Sequence, residues 1–164
     1  MIRGVASLAA SLILVGCEPS VQLEMSTGVD NVLNEALAGT WRVEGMLQSD
    51  CPAEWMRRLP TGQTRWTARD GALVIEALTG ASETVTVHPV DDHRLMSQGT
   101  LTVQDCAVTE TLWLDIHSLD GAWASGTYEA SLEHDGSERC KALAEEANLP
   151  DGCLTQLNWQ ARRL

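Results

Sequence analysis

From Gly39 onward, apolar side chains return at every second position. Trp41, Val43 and Leu47 alternate with Arg42, Glu44 and Met46, and the same alternation recurs over 64–69, 73–78, 84–88, 94–97, 100–104, 108–117, 122–132 and 155–163. A period of two is the spacing of a strand that buries one face and wets the other. Turn signals separate the runs: Asp70-Gly71, Gly80, Asp91-Asp92, Gly99 and Asp120-Gly121. Short strands joined by tight turns exclude βαβ units, whose parallel strands need long crossovers, and predict an antiparallel barrel or a β-sandwich.

Three stretches depart from this pattern. Val29, Val32, Leu33, Ala36 and Leu37 recur at helical spacing, with Asp30 near the start and Gly39 just past the end, so a short helix precedes the first strand. The segment 51–60 reads as a helical turn between Pro52 and Pro60 in the long first connection. The segment 137–149 is helix-friendly, with Leu143, Ala144 and Ala147 and the i,i+4 pair Lys141 and Glu145, and Pro150 forbids its continuation.

The beginning of the chain has another character. Met1-Ile2-Arg3 gives a short positive start, 5–15 is an apolar run too short for a permanent membrane span, and Leu14-Val15-Gly16-Cys17 closes it. These four residues resemble the lipobox of bacterial lipoproteins. The resemblance implies a signal peptide over 1–16, diacylglycerol on the Cys17 thiol, cleavage before it and further acylation of the new amino group. Several acyl chains would hold the protein on a bilayer almost permanently, at roughly 0.8 kcal/mol per buried CH₂. The polar stretch 17–29 then reads as the lipidated cysteine and a flexible tether, and 30–164 as a single β-rich domain. Glu18, where enterobacterial lipoproteins retained at the inner membrane carry Asp, implies the outer membrane as the place in the cell envelope.

Charge narrows the partners. The formal net charge is −12 at pH 7, which repels phosphate backbones and argues against nucleic acid. Apart from Cys17 there are four cysteines, Cys51, Cys106, Cys140 and Cys153, an even number in an exported chain, which is a disulfide pattern. Three connectivities are open. Cys140 with Cys153 would clip the helical insertion, and Cys51 with Cys106 would tie the first loop to the middle of the sheet. No C-x-x-C spacing with a nearby histidine favours a metal instead.

Gly39-Thr40-Trp41, at the start of the first strand and after a short helix, is similar to the lipocalin and calycin signature. That resemblance implies an eight-stranded barrel whose closed end is plugged by Trp41, with Arg162 or Arg163 packed across the indole. It implies a binder of a small apolar or amphipathic ligand, while contact with the envelope membrane is what the lipobox resemblance at Cys17 implies. The residues themselves leave a second reading open, an envelope structural or interaction lipoprotein, or an inhibitor, acting through a protein–protein surface. Trp55 and Trp66, with Arg57, Arg58 and Arg65, gather around the first long loop and have the composition of interaction hot spots, so this loop is the predicted ligand or partner surface.

Catalytic sets are harder to find. There is no Gly-x-Ser-x-Gly elbow, His-Glu-x-x-His helix, phosphate loop or calcium loop, so no catalytic residue, cofactor or metal is assigned and an enzyme is not expected. Two local features stand out. His88-Pro89-Val90-Asp91-Asp92-His93 brings two imidazoles and two carboxylates together, in what reads as a solvated turn. Glu110 shares an alternating face with Val108, Leu112, Leu114 and Ile116, which would turn it inward unless it reaches solvent at the strand end. Clustering of His88, His93 and Glu110 around one cleft would revive a hydrolase.

Overall fold

The computed structural model describes residues 30–51, 58–79, 84–146 and 152–164; the leader, Cys17 and the tether lie outside them. The elements run α1 (Asp30–Leu37), β1 (Gly39–Ser49), β2 (Gly62–Arg69), β3 (Ala72–Ala77), β4 (Thr84–Pro89), β5 (Arg94–Val103), β6 (Cys106–Leu119), β7 (Trp123–His134), α2 (Glu138–Glu146) and β8 (Gly152–Arg163). All eight strands pair antiparallel with their sequence neighbours, and β8 returns to β1, so the meander closes into a barrel.

The predicted helix before the first strand and the strand alternation both appear, with one revision. The runs 94–97 and 100–104 are a single strand, β5, which passes straight through Gly99; the turn lies at Gln104 and Asp105, whose positive φ angles of 48° and 65° give a tight hairpin without glycine. At Asp70-Gly71 the same left-handed pair forms with φ 53° and 77°. The Asp120 carboxylate accepts the Ala122 and Trp123 backbone N–H groups, which sets the β6–β7 turn.

One end is plugged. Leu33 and Leu37 of α1 join the buried core, the Trp41 indole N–H donates to the Leu37 carbonyl at 2.7 Å, and the Asn34 amide reaches the Gly71 carbonyl at 3.2 Å. The Arg163 guanidinium lies 4.5 Å from the Trp41 ring centroid and donates to the Ala36 carbonyl at 2.7 Å, tying β8 to the helix. Arg163 rather than Arg162 covers Trp41 because Arg163 is the register partner of Trp41, whereas Arg162 points outward and stacks on Trp123. Above this layer Trp66 packs against Trp41 at 6.0 Å and edge-on against Trp159 at 5.6 Å. The closed half is thus filled with indoles in place of the absent phenylalanines.

The barrel has unequal sides. Strands β5, β6, β7, β8 and β1 have 10, 14, 12, 12 and 11 residues. Their neighbours β2, β3 and β4 have 8, 6 and 6. β1 leaves β2 after Val43, and β4 meets β5 only at His88↔Met96 and Pro89↔Leu95. A tall five-stranded wall therefore rises beyond a short three-stranded half at the end away from α1.

Candidate functional site

The inner face of the tall wall is built row by row from the register. Leu95, Leu114, Tyr128, Leu157 and Leu47 form one inward row across β5, β6, β7, β8 and β1. The next row toward the open end is Ser97, Leu112, Ala130, Thr155 and Ser49. Beyond it stand Gly99, Glu110, Leu132 and Cys153. The leucine row gives way to one of small side chains, with two serines, a threonine and an alanine around Leu112, and the outermost row sets Gly99 beside Glu110 and Leu132.

Glu110 sits in the middle of the outermost of these rows, between Gly99 and Leu132, and is half-buried. The outward positions either side of it confirm its direction: Thr109 and Thr111 bond across the outer surface to Thr100 and Gln98. Gly99 opposite has an ordinary φ, and a Cβ built there would meet no atom within 4 Å. The wall therefore borders open space beside an inward carboxylate. Thr155 is buried and donates to the Ser49 hydroxyl on β1. His134, at the end of β7, accepts the Gly136 backbone N–H on Nδ1 at 3.0 Å.

Two disulfides hold this rim. Cys51 bonds Cys153, one step beyond the Ser49↔Thr155 pair, and Cys106 at the start of β6 bonds Cys140 of α2. All four predicted cysteines are thus paired, but not as Cys140–Cys153 and Cys51–Cys106. The reason is barrel closure: β1 and β8 are neighbours, so Cys51 faces Cys153, while α2 packs over the start of β6. Ser137 caps α2 by accepting the Cys140 N–H at 3.2 Å. The Asp135 carboxyl, held by the Ser137 backbone N–H and then its hydroxyl, titrates below the ordinary carboxylate value.

The predicted Trp/Arg loop does not come together. Trp66 is core, at 1% exposure, and Arg65 beside it lies on the outer face of β2, because adjacent strand residues point oppositely. Arg58 is half-buried ahead of buried Leu59 and Pro60, and Trp55 and Arg57 lie outside the described residues. The sequence reading missed Gly99, which it took for a turn, and the inward hydroxyls Ser49 and Thr155. Strand parity alone could have marked the hydroxyls.

His88 and His93 stand at the closed end, away from Glu110 at the open end, so they form no joint cleft with it. His93 Nδ1 lies 2.7 Å from Asp92 and 3.1 Å from Asp91, all three exposed. The hydrogen bond that His93 makes to the Asp92 carboxylate and then the charge of Asp91 raise the His93 pKa above 6.5, and the hydrogen bond and charge of His93 lower that of Asp92. A raised folded-state value means that protonated His93 stabilises the hairpin below pH about 6.5 and loses this as pH rises through the folded pKa. In an NMR titration, His93 should show a higher midpoint than in Asp92→Asn; equal midpoints would remove the pairing as the cause. The other carboxylate–cysteine groups near the rim contain disulfide sulfurs, which offer no thiolate to a metal.

Comparison with protein families, curated proteins and solved structures finds no match for this chain.

On the outside of β6, β7 and β8 runs a shallow groove of about 550 Å³, floored by Trp113, Thr111 and Ser131 and rimmed by Asp50, Glu129 and Glu133. Its acids are partly engaged: Glu129 accepts the Gln156 amide at 2.9 Å, and Asp50 accepts the Leu154 N–H at 2.6 Å. Arg94 lies 5.3 Å from the Trp113 centroid and pairs with Asp115.

Proposed function

We propose that this chain is an exported lipoprotein, anchored through Cys17 in the cell envelope, whose barrel holds a small amphipathic ligand against the inner wall of its tall side. The observation that carries the reading is the difference between the two ends. Trp41, Trp66 and Trp159 pack the closed half, whereas the inner wall at the other end borders open space at Gly99 under a rim stapled by two disulfides. Ligand sites combine a preformed concave surface with a few inward polar groups, and Leu47, Leu112 and Leu132 around Glu110, Thr155 and Ser49 supply that mixture. The leader and Leu14-Val15-Gly16-Cys17 support export and lipidation.

Intact and native mass spectrometry of the full chain, expressed with export and lipoprotein processing, tests this. The expected species has lost residues 1–16, gained acyl mass on Cys17, lost four protons to two disulfides, and carries a small adduct that leaves on denaturation. An unprocessed leader or an unmodified Cys17 would sink the anchor, and a processed chain that binds no small amphiphile would sink the ligand reading. A second reading, an envelope protein docked on the outer surface, is favoured by the Trp113 groove, whose acidic rim suits a basic partner segment. Trp113→Ala would abolish that docking and leave ligand binding in the barrel unchanged.

A further inference from the structure

Resting on the reading of Cys17 as a lipid anchor, we infer that the closed end of the barrel seats on the bilayer holding that anchor, with α1 and Trp123 against a zwitterionic lipid surface and the open end turned away. Connectivity leads there first. Whatever its shape, the stretch 18–29 that joins Cys17 to α1 reaches at most about 45 Å. It enters the domain at Asp30, and α1 lies across the closed end, tied to the β2–β3 turn by Asn34 and to β8 by Arg163. Setting the open end on the bilayer instead would make that stretch climb the tall wall. The strands there have 12 residues in β8 and 14 in β6, about 40 Å or more in length. Even with strands tilted by about 40°, the climb uses most of the reach.

The closed end also keeps apolar side chains in water. Val32 is 73% exposed, Leu164 57%, Trp123 51% and Val90 50%; among the other large apolar side chains described, Met46 on β1 is as open. Exposed apolar groups gathered at one end of a domain mark a contact surface. On α1, Leu33, Asn34 and Leu37 are buried, whereas Val32 and Ala36, one turn apart, form a line on the outer side. Trp123 opens β7 on the outer face, with the Arg162 guanidinium 5.9 Å from its ring centroid. An indole favours the headgroup level of a bilayer, and an arginine with its stem along the ring can donate to a lipid phosphate. Charge selects the surface. The cations of this end are largely matched, Arg69 with Asp70, Arg94 with Asp115 and His93 with Asp91 and Asp92, and the net charge of −12 turns anionic surfaces away. A zwitterionic surface remains. So few side chains bind weakly alone, but a lipid anchor on the same chain makes the contact intramolecular, at an effective concentration on the order of millimolar.

The test places the full chain, expressed with export and lipoprotein processing, in vesicles of phosphatidylcholine brominated high on its acyl chains, which quench an indole only at close range. Trp41, Trp66 and Trp159 are buried in the closed half and should not respond. Emission should be lower than in unbrominated vesicles, and Trp123→Phe should abolish the difference. Val32→Glu, on the outer side of α1, should reduce it at least about twofold, because a carboxylate resists the hydrocarbon boundary, with the urea midpoint unchanged. Trp113→Phe, on the outer face of the tall wall, should leave it as it is. Vesicle-bound protein that shows no quenching, or quenching that neither Trp123→Phe nor Val32→Glu reduces, overturns the seat while leaving the anchor standing. Quenching lost in Trp113→Phe instead would lay the barrel on its side and overturn the seat equally. A chain that keeps residues 1–16 and stays in solution when the vesicles are floated overturns the anchor, and the seat with it.

Discussion

Gly126→Ala should destabilise the protein by about 3 kcal/mol or more, enough to unfold much of a marginally stable domain. A Cβ at this position would stand 1.9 Å from the Asp115 carbonyl oxygen and 2.8 Å from Trp159 Cζ2. Neither can step aside. The carbonyl belongs to β6 where the register shifts between Ile116 and Ser118, and the buried Trp159 indole is held edge-on against Trp66. Glycine at 126 thus leaves the room that Trp159 and the Asp115 carbonyl occupy. Urea unfolding followed by tryptophan fluorescence reads the loss as a lower midpoint at unchanged slope. Gly99→Ala is the control: with open space at its Cβ and an ordinary φ, it should be neutral or gain up to about 1 kcal/mol. Equal midpoints for Gly126→Ala and the parent would mean that β6 and β7 separate at Asp115 more easily than their register implies.

Removal of the Cys51–Cys153 disulfide, as the double serine variant, should cost about 4.7 kcal/mol on the chain-entropy account, because the bridge closes 102 residues. The Cys106–Cys140 bridge closes 34, for which the same account gives about 3.8 kcal/mol. The order of the two is the sharper expectation. The longer bridge joins the first strand to the last, so without it the unfolded chain regains the freedom of nearly the whole domain. Calorimetric unfolding of the two double variants should rank them in that order. A larger loss from the α2 bridge would show that the native rim, and not the unfolded chain, sets the stabilisation.

The parts of this architecture written locally were legible, and the parts written by closure were not. Alternation at Trp41 and Val43, or through 108–117, needs only neighbouring residues, and the strands formed there. Gly99 looked like punctuation because glycine so often turns a chain; here it keeps an inward position empty, while the actual turn at Gln104 and Asp105 carries no glycine at all. The cysteine partners could not be read because they depend on which strands meet after a full circuit of the barrel. The same circuit decides that Arg163 and not Arg162 covers Trp41. Glu110 was legible as an inward residue from parity, but the small side chains around it acquire meaning only when β5, β6 and β7 are set side by side. Trp66 and Arg65 show the opposite lesson: adjacent in sequence, they were read as one surface, and the pleat sends one into the core and the other into water.

A closed ring of hydrogen bonds yields first at its thinnest joint, and this ring has one: β4 and β5 share two register pairs, whereas β5 and β6 share ten and β7 and β8 eleven. Thermal excursions that part β4 from β5 break few bonds and leave the indole stack untouched, so they belong to the cheap end of the protein's opening spectrum. The parted seam lies along the Ser97 and Gly99 side of the inner wall. Parting it breaks neither disulfide, because Cys51–Cys153 and Cys106–Cys140 both lie outside the β4–β5 joint.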